Sequence, residues 1–126
     1  VRQLAYYRTI PDNQKKSRYD SQIEHHFPPL NHGKYLLSYL EDMGYSINGV
    51  MGRASLSFSE IKSYADVMCL NLKSWEFRTL KILSVEYTNQ LMDKDEYADI
   101  PFGSATISIE KLDEMMDRVK SFKKKK

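Results

Sequence analysis

Cysteine is almost missing from this chain: Cys69 is the single one among 126 residues. No disulfide can form within the chain, so packing and hydrogen bonds must hold it, which suits a reducing cytoplasm. Cys69 follows Val67 and Met68 and reads as a small packed hydrophobe. A nucleophilic thiol needs a base or a positive neighbour, and the flanking residues offer neither. Long apolar runs are missing too. No stretch reaches the ~18 apolar residues of a membrane-spanning helix. Tyr6, Tyr7, Arg8 and Pro11 interrupt the start where a signal peptide would run basic and then apolar. The first residue is valine, which a GTG start codon, a processed terminus or the distal part of a longer product would each explain.

Reactive constellations are equally sparse. Gly49 and Gly52 bracket Val50-Met51, but no Gly-Lys-Ser/Thr follows, so residues 45–56 read as a plain loop and not as a phosphate cradle. Glu24, His25, His26 and His32 form the one histidine cluster, and its spacing, broken by Pro28 and Pro29, matches no helical metal-ligand pair. Asp93, Asp95, Glu96 and Asp99 lack the mid-loop glycine and terminal glutamate of a calcium loop. No Gly-x-Ser-x-Gly elbow is present. The expectation is a protein that is not an enzyme and carries no metal or cofactor.

What the chain does have is unevenly placed charge and many aromatic rings. The net charge of +2 divides into +3 over residues 1–34, −4 over 35–109 and +3 over 110–126. Basic ends flank an acidic centre, a pattern suited to meeting something negative or another copy's acidic middle. Nine tyrosines, five phenylalanines and one tryptophan supply large contact area.

The periodicity predicts an all-α fold: a small bundle of three to four helices with an extended N-terminal arm. Residues 1–33 read as that arm, aromatic and basic, lying across a surface; Phe27-Pro28-Pro29-Leu30 enforces extension. The helical domain covers 34–122, and Lys123, Lys124, Lys125 and Lys126 form a basic tail. Tyr35, Leu36, Tyr39, Leu40 and Met43 mark a first helix closed by Gly44. Ser57 or Ser59 caps a second helix to about Leu70, Ser57 with Glu60 matching a capping box, with Ile61, Tyr64, Ala65 and Met68 as its buried stripe. Ser74 caps a third, over 75–92, whose stripe is Phe77, Leu80, Leu83, Tyr87 and Leu91. Ser108 opens a fourth, with Ile109, Leu112, Met116, Val119 and Phe122 on one face. Tyr6, Tyr7, Tyr19 and Phe27 in the arm, with Trp75, Phe77 and Met116, are the candidate partner-binding residues.

Two readings of function follow. Helices two and three resemble a helix-turn-helix superficially, but the reader helix would open with Trp75, Glu76 and Phe77 and carries no net charge, which opposes phosphate attraction. Tyr35-Leu36-Leu37-x-Tyr39-Leu40, Ser57-x-x-Glu60-Ile61-x-x-Tyr64-Ala65 and Leu72-x-x-Trp75-Glu76 together resemble small proteins encoded among bacteriophage tail genes, often described as tail-assembly chaperone-like. The resemblance covers residues 35–91. It implies a non-catalytic factor in the host cytoplasm, or resident in the virion tail, that binds tape-measure or tube subunits, or its own copies, through apolar helical surface. A small DNA-binding protein is the alternative.

Overall fold

The computed structural model describes residues 1–95, 97–103 and 116–120. In chain order the elements are α1 (Arg2–Arg8), α2 (Arg18–Ser21), α3 (Lys34–Met43), β1 (Ser46–Gly49), β2 (Gly52–Ser55), α4 (Phe58–Val67) and α5 (Ser74–Met92). Residues 116–120 are helical as well. The all-α expectation is therefore corrected: six helices and a two-stranded antiparallel sheet make a mixed α/β fold among the described residues.

The hairpin replaces the loop expected over 45–56. Ser46 pairs with Ser55, Ile47 with Ala54, Asn48 with Arg53 and Gly49 with Gly52, leaving Val50-Met51 as a two-residue turn. Gly49 is required there: a Cβ would come within 2.9 Å of the Gly52 carbonyl oxygen. Strands of four residues are too short to show alternation above noise. The expected extended arm is also corrected. Residues 2–8 form α1, which buries Gln3, Ala5, Tyr6 and Tyr7. A seven-residue helix is marginal alone, so its packing on α5 sustains it.

Helix ends follow local chemistry. The expected α3 is observed, and Gly44 closes it with φ of +77° while the Tyr45 N–H reaches back to the Leu40 carbonyl at 2.9 Å. The Ser57–Glu60 capping box is formed at α4. That helix stops at Val67, short of Leu70, because Cys69 takes φ of +55° and the Leu70 N–H bonds to the Ala65 carbonyl at 2.8 Å. Met68 and Cys69 are consequently exposed, against the expectation that both pack inward. At α5 the cap position falls on Lys73 and not Ser74; Lys73 has no side-chain oxygen, and its own N–H donates to Glu76 Oε1 at 2.9 Å. The predicted fourth helix lies outside the described residues over 104–115 and at Phe122, as does the Lys123–Lys126 tail.

α5 is the spine. α1, α3, α4 and both strands pack on it. Four helices and the two residues that flank the hairpin share one core: Ala5 from α1, Leu36 and Leu40 from α3, Tyr45 and Leu56 beside the strands, Ile61 from α4, and Leu80 with Tyr87 from α5. Polar staples lock these pieces at three points. Ser84, fully buried on α5, accepts from the Leu56 N–H at 2.8 Å and donates to the Tyr45 carbonyl at 2.6 Å, pinning both ends of the hairpin segment. Buried Arg18 donates to the Tyr6, Asp93 and Asp95 carbonyls and lies over the Tyr6 ring at 4.6 Å. Burial lowers its guanidinium below the ordinary arginine value, and it remains cationic. Gln3 exchanges both amide bonds with the Phe102 backbone at 2.9 Å and donates to the His26 carbonyl at 2.7 Å, joining α1 to the segment that follows α5.

Candidate functional site

An open apolar groove of about 950 Å³ lies where α1, α3, α5 and the segment joining α2 to α3 meet. The joining segment contributes Phe27, Pro28 and Leu30, an extended run that the two prolines enforce. Leu4 comes from α1, Tyr35 and Leu37 from α3, and Trp75 and Leu83 from α5. Leu36 and Tyr45, both buried, reach it from the core side. Several of these side chains stay exposed. Trp75 keeps 54% of its area exposed and Phe27 51%, and Leu30 and Tyr35 are exposed as well.

Two of the polar side chains that line the groove are engaged within the fold. Gln3 spends its amide on backbone, and Thr79 Oγ1 donates to the Trp75 carbonyl at 2.7 Å within its own helix. Asn31, His32 and Lys34 stand at one edge. Near Trp75, Glu76 takes the Lys73 N–H and faces the Tyr35 hydroxyl. Lost hydration, then the Glu76 carboxylate, raises the Tyr35 hydroxyl above its ordinary value. Such a surface recognises apolar matter with a few oriented polar contacts at its margin.

The structure divides the sequence candidates. Phe27 and Trp75 meet in the groove. Tyr6 and Tyr7 do not, since both are core residues, at 3% and 0% exposure. Their hydroxyls take the Gln22 amide at 2.9 Å and the His26 N–H at 2.7 Å. Tyr19 is exposed elsewhere, stacked on His25 with ring centroids 3.7 Å apart. Phe77 is half-buried against the core. Met116 is exposed on the helical residues 116–120, and the four terminal lysines lie outside the described residues. Leu30 and Tyr35 are groove residues that the sequence places elsewhere, Leu30 in the extended arm and Tyr35 on the apolar stripe of the first helix. The signal available was Pro28-Pro29, which holds its flanking apolar groups apart from any helix.

The histidines do not converge. His26 Nε2 sits 3.7 Å from Glu24 Oε2, His25 contacts the Tyr19 carbonyl at 2.6 Å, and His32 lies at the groove. Among the described residues, no group of three or more His, Cys, Asp or Glu side chains is placed to share a metal ion. No described helix is long and apolar enough to cross a membrane. Comparison with family models, with characterised proteins and with solved structures finds no match for the chain.

Proposed function

We propose that this protein is a non-catalytic binding protein that seats an apolar helical segment of another polypeptide in the groove. The observation that carries the reading is the half-exposed Trp75 and Phe27 facing a common apolar recess that folding leaves open. Helix-in-groove recognition uses an amphipathic helix whose i, i+3, i+4 and i+7 anchors enter such a recess. The resemblance of residues 35–91 to phage tail-gene proteins supplies the partner class: tape-measure or tube subunits, bound in the host cytoplasm before or during tail assembly, with the finished tail as a second location.

The helix-turn-helix alternative draws less support from the geometry. The would-be reader, α5, is the spine on which the other elements pack. Its exposed stripe, Trp75, Arg78, Ile82, Glu86 and Asn89, carries one charge of each sign.

The chain's single tryptophan reports on the groove directly. Titration with amphipathic peptides from tape-measure and tube subunits is expected to shift Trp75 emission to the blue, with affinity nearly constant as salt rises. Duplex DNA binding that collapses steeply with salt, without any peptide response, would reverse the ranking.

A further inference from the structure

Of the five asparagines in the chain, Asn48 alone precedes a glycine. Glycine has no side chain to shield its main-chain nitrogen, so the Gly49 nitrogen has open access to the Asn48 side-chain carbonyl carbon. The fold puts this pair near the apex of the β1–β2 hairpin, with Asn48 opposite Arg53 and Gly49 opposite Gly52. Residues 48–53 are all exposed, and Val50 and Met51 at the turn stand in solvent. Ser84 holds the base of the hairpin, but no apolar contact covers this end, and short two-stranded pairings open easily. Opening matters here. Pairing keeps the main chain extended and stands the Asn48 side chain off the sheet, whereas ring closure turns it back on the next nitrogen. Across the hairpin, Arg53 is held in place: Nε donates to Ser46 Oγ at 2.9 Å, Nη2 to the Ser46 carbonyl at 2.6 Å and Nη1 to Asn48 Oδ1 at 2.6 Å.

We propose that Asn48 is a site of spontaneous conversion to aspartate and that Arg53 captures the product. The Gly49 nitrogen loses its proton and bonds to Asn48 Cγ. The Cγ–Nδ2 bond breaks, and ammonia leaves with that proton. Water then opens the cyclic imide. Breaking the new nitrogen–Cγ bond gives aspartate on an unchanged main chain; breaking the original peptide bond gives isoaspartate, whose main chain is one carbon longer. The net change is amide and water to acid and ammonia, with nothing oxidised or reduced. The folded hairpin accepts one of these products. Aspartate at position 48 keeps the register, and its carboxylate takes the Arg53 N–H in a charge-assisted bond stronger than the amide's. Ser46 already orders Arg53, so no further side-chain freedom is lost. Isoaspartate pushes Gly49 out of step with Gly52, where the approach is too close even for a Cβ, at 2.9 Å. Conversion lowers the net charge of +2 by one and fixes an apex that otherwise opens.

Ageing the full chain in mildly alkaline buffer, followed by trypsin digestion and mass spectrometry, tests the site. The tryptic peptide of residues 35–53 contains no other asparagine and no glutamine, so any amide-to-acid mass gain in it belongs to Asn48. That gain is expected before any at Asn71 or Asn89, and faster in urea, where the pairing is gone. Asn48→Gln should abolish it. Capture is read from Asn48→Asp, which makes the product directly. This variant should melt above wild type, and in an Arg53→Gln background the same substitution should bring no rise. Earlier conversion at Asn71 or Asn89 in the native chain overturns the site. An Asn48→Asp variant that melts no higher, or one whose rise survives Arg53→Gln, overturns the capture.

Discussion

At the residue scale, the informative side chains are buried polar ones. Ser84 has no exposed surface and serves a donor and an acceptor from the hairpin segment. Ser84→Ala orphans both, and an unsatisfied buried group costs about 1–3 kcal/mol. Urea unfolding should show that loss with far-ultraviolet circular dichroism retained at zero denaturant. Arg18→Lys keeps the charge but not the planar fork that reaches three carbonyls, so it should still lose about 2 kcal/mol. Tyr45 makes a pH-dependent contribution. Burial, then the Glu41 carboxylate, pushes its hydroxyl up to about 12, against about 10 in an unfolded chain. The native state keeps a proton that the unfolded state has lost. This stabilisation is complete below about pH 10 and declines as pH rises toward about 12. Tyr64, also raised to about 12 by lost hydration and then Asp42, acts in the same direction from a more exposed position. Tyr45→Phe retains the ring stack on Tyr87 and should make the alkaline fall of the urea midpoint shallower. An unchanged slope would remove Tyr45 as its source.

At the element scale, the end of α4 carries a mismatch between residue and backbone. Cys69 occupies a left-handed conformation that glycine takes without strain, as Gly44 does at the end of α3. Cys69 is exposed. Cys69→Gly should therefore raise stability by about 0.5–1 kcal/mol, the relieved strain outweighing the added freedom of the unfolded chain. Thermal melts of the two proteins, both under reducing conditions, check this. Gly49→Ala should act oppositely, since its methyl would meet the Gly52 carbonyl and the Ala54 side chain. Hairpin and helix thus have opposite tolerances for glycine, and the difference lies in local φ and in what stands opposite.

At the scale of the whole molecule, α5 organises the fold and the groove together, burying Leu80, Ser84 and Tyr87 while turning Trp75 outward. Leu30→Asp should abolish the peptide-induced emission shift yet leave the unfolding midpoint within about 0.5 kcal/mol, as expected for a surface substitution away from the core. A large fall in stability would mean that the groove wall is structural.

Amphipathic stripes and caps act within a few residues, so sequence alone determined α3, the Ser57–Glu60 box and the course of α5. It also determined that no disulfide could hold the chain. Only tertiary structure decided the rest. Residues 2–8 carry too short a pattern to announce a helix, and they become one because Ala5 packs into the core beside α5 while Arg18, Gln22, Tyr19, His25 and Phe27 enclose Tyr6 and Tyr7. The hairpin emerges because Ser84 and Lys81 on α5 hold Tyr45, Ser55 and Leu56 in place. Whether an aromatic residue becomes core or contact surface also depends on distant packing: Tyr7 and Phe27 look alike in sequence, their rings touch at 5.3 Å between centroids, and one is buried while the other faces the groove.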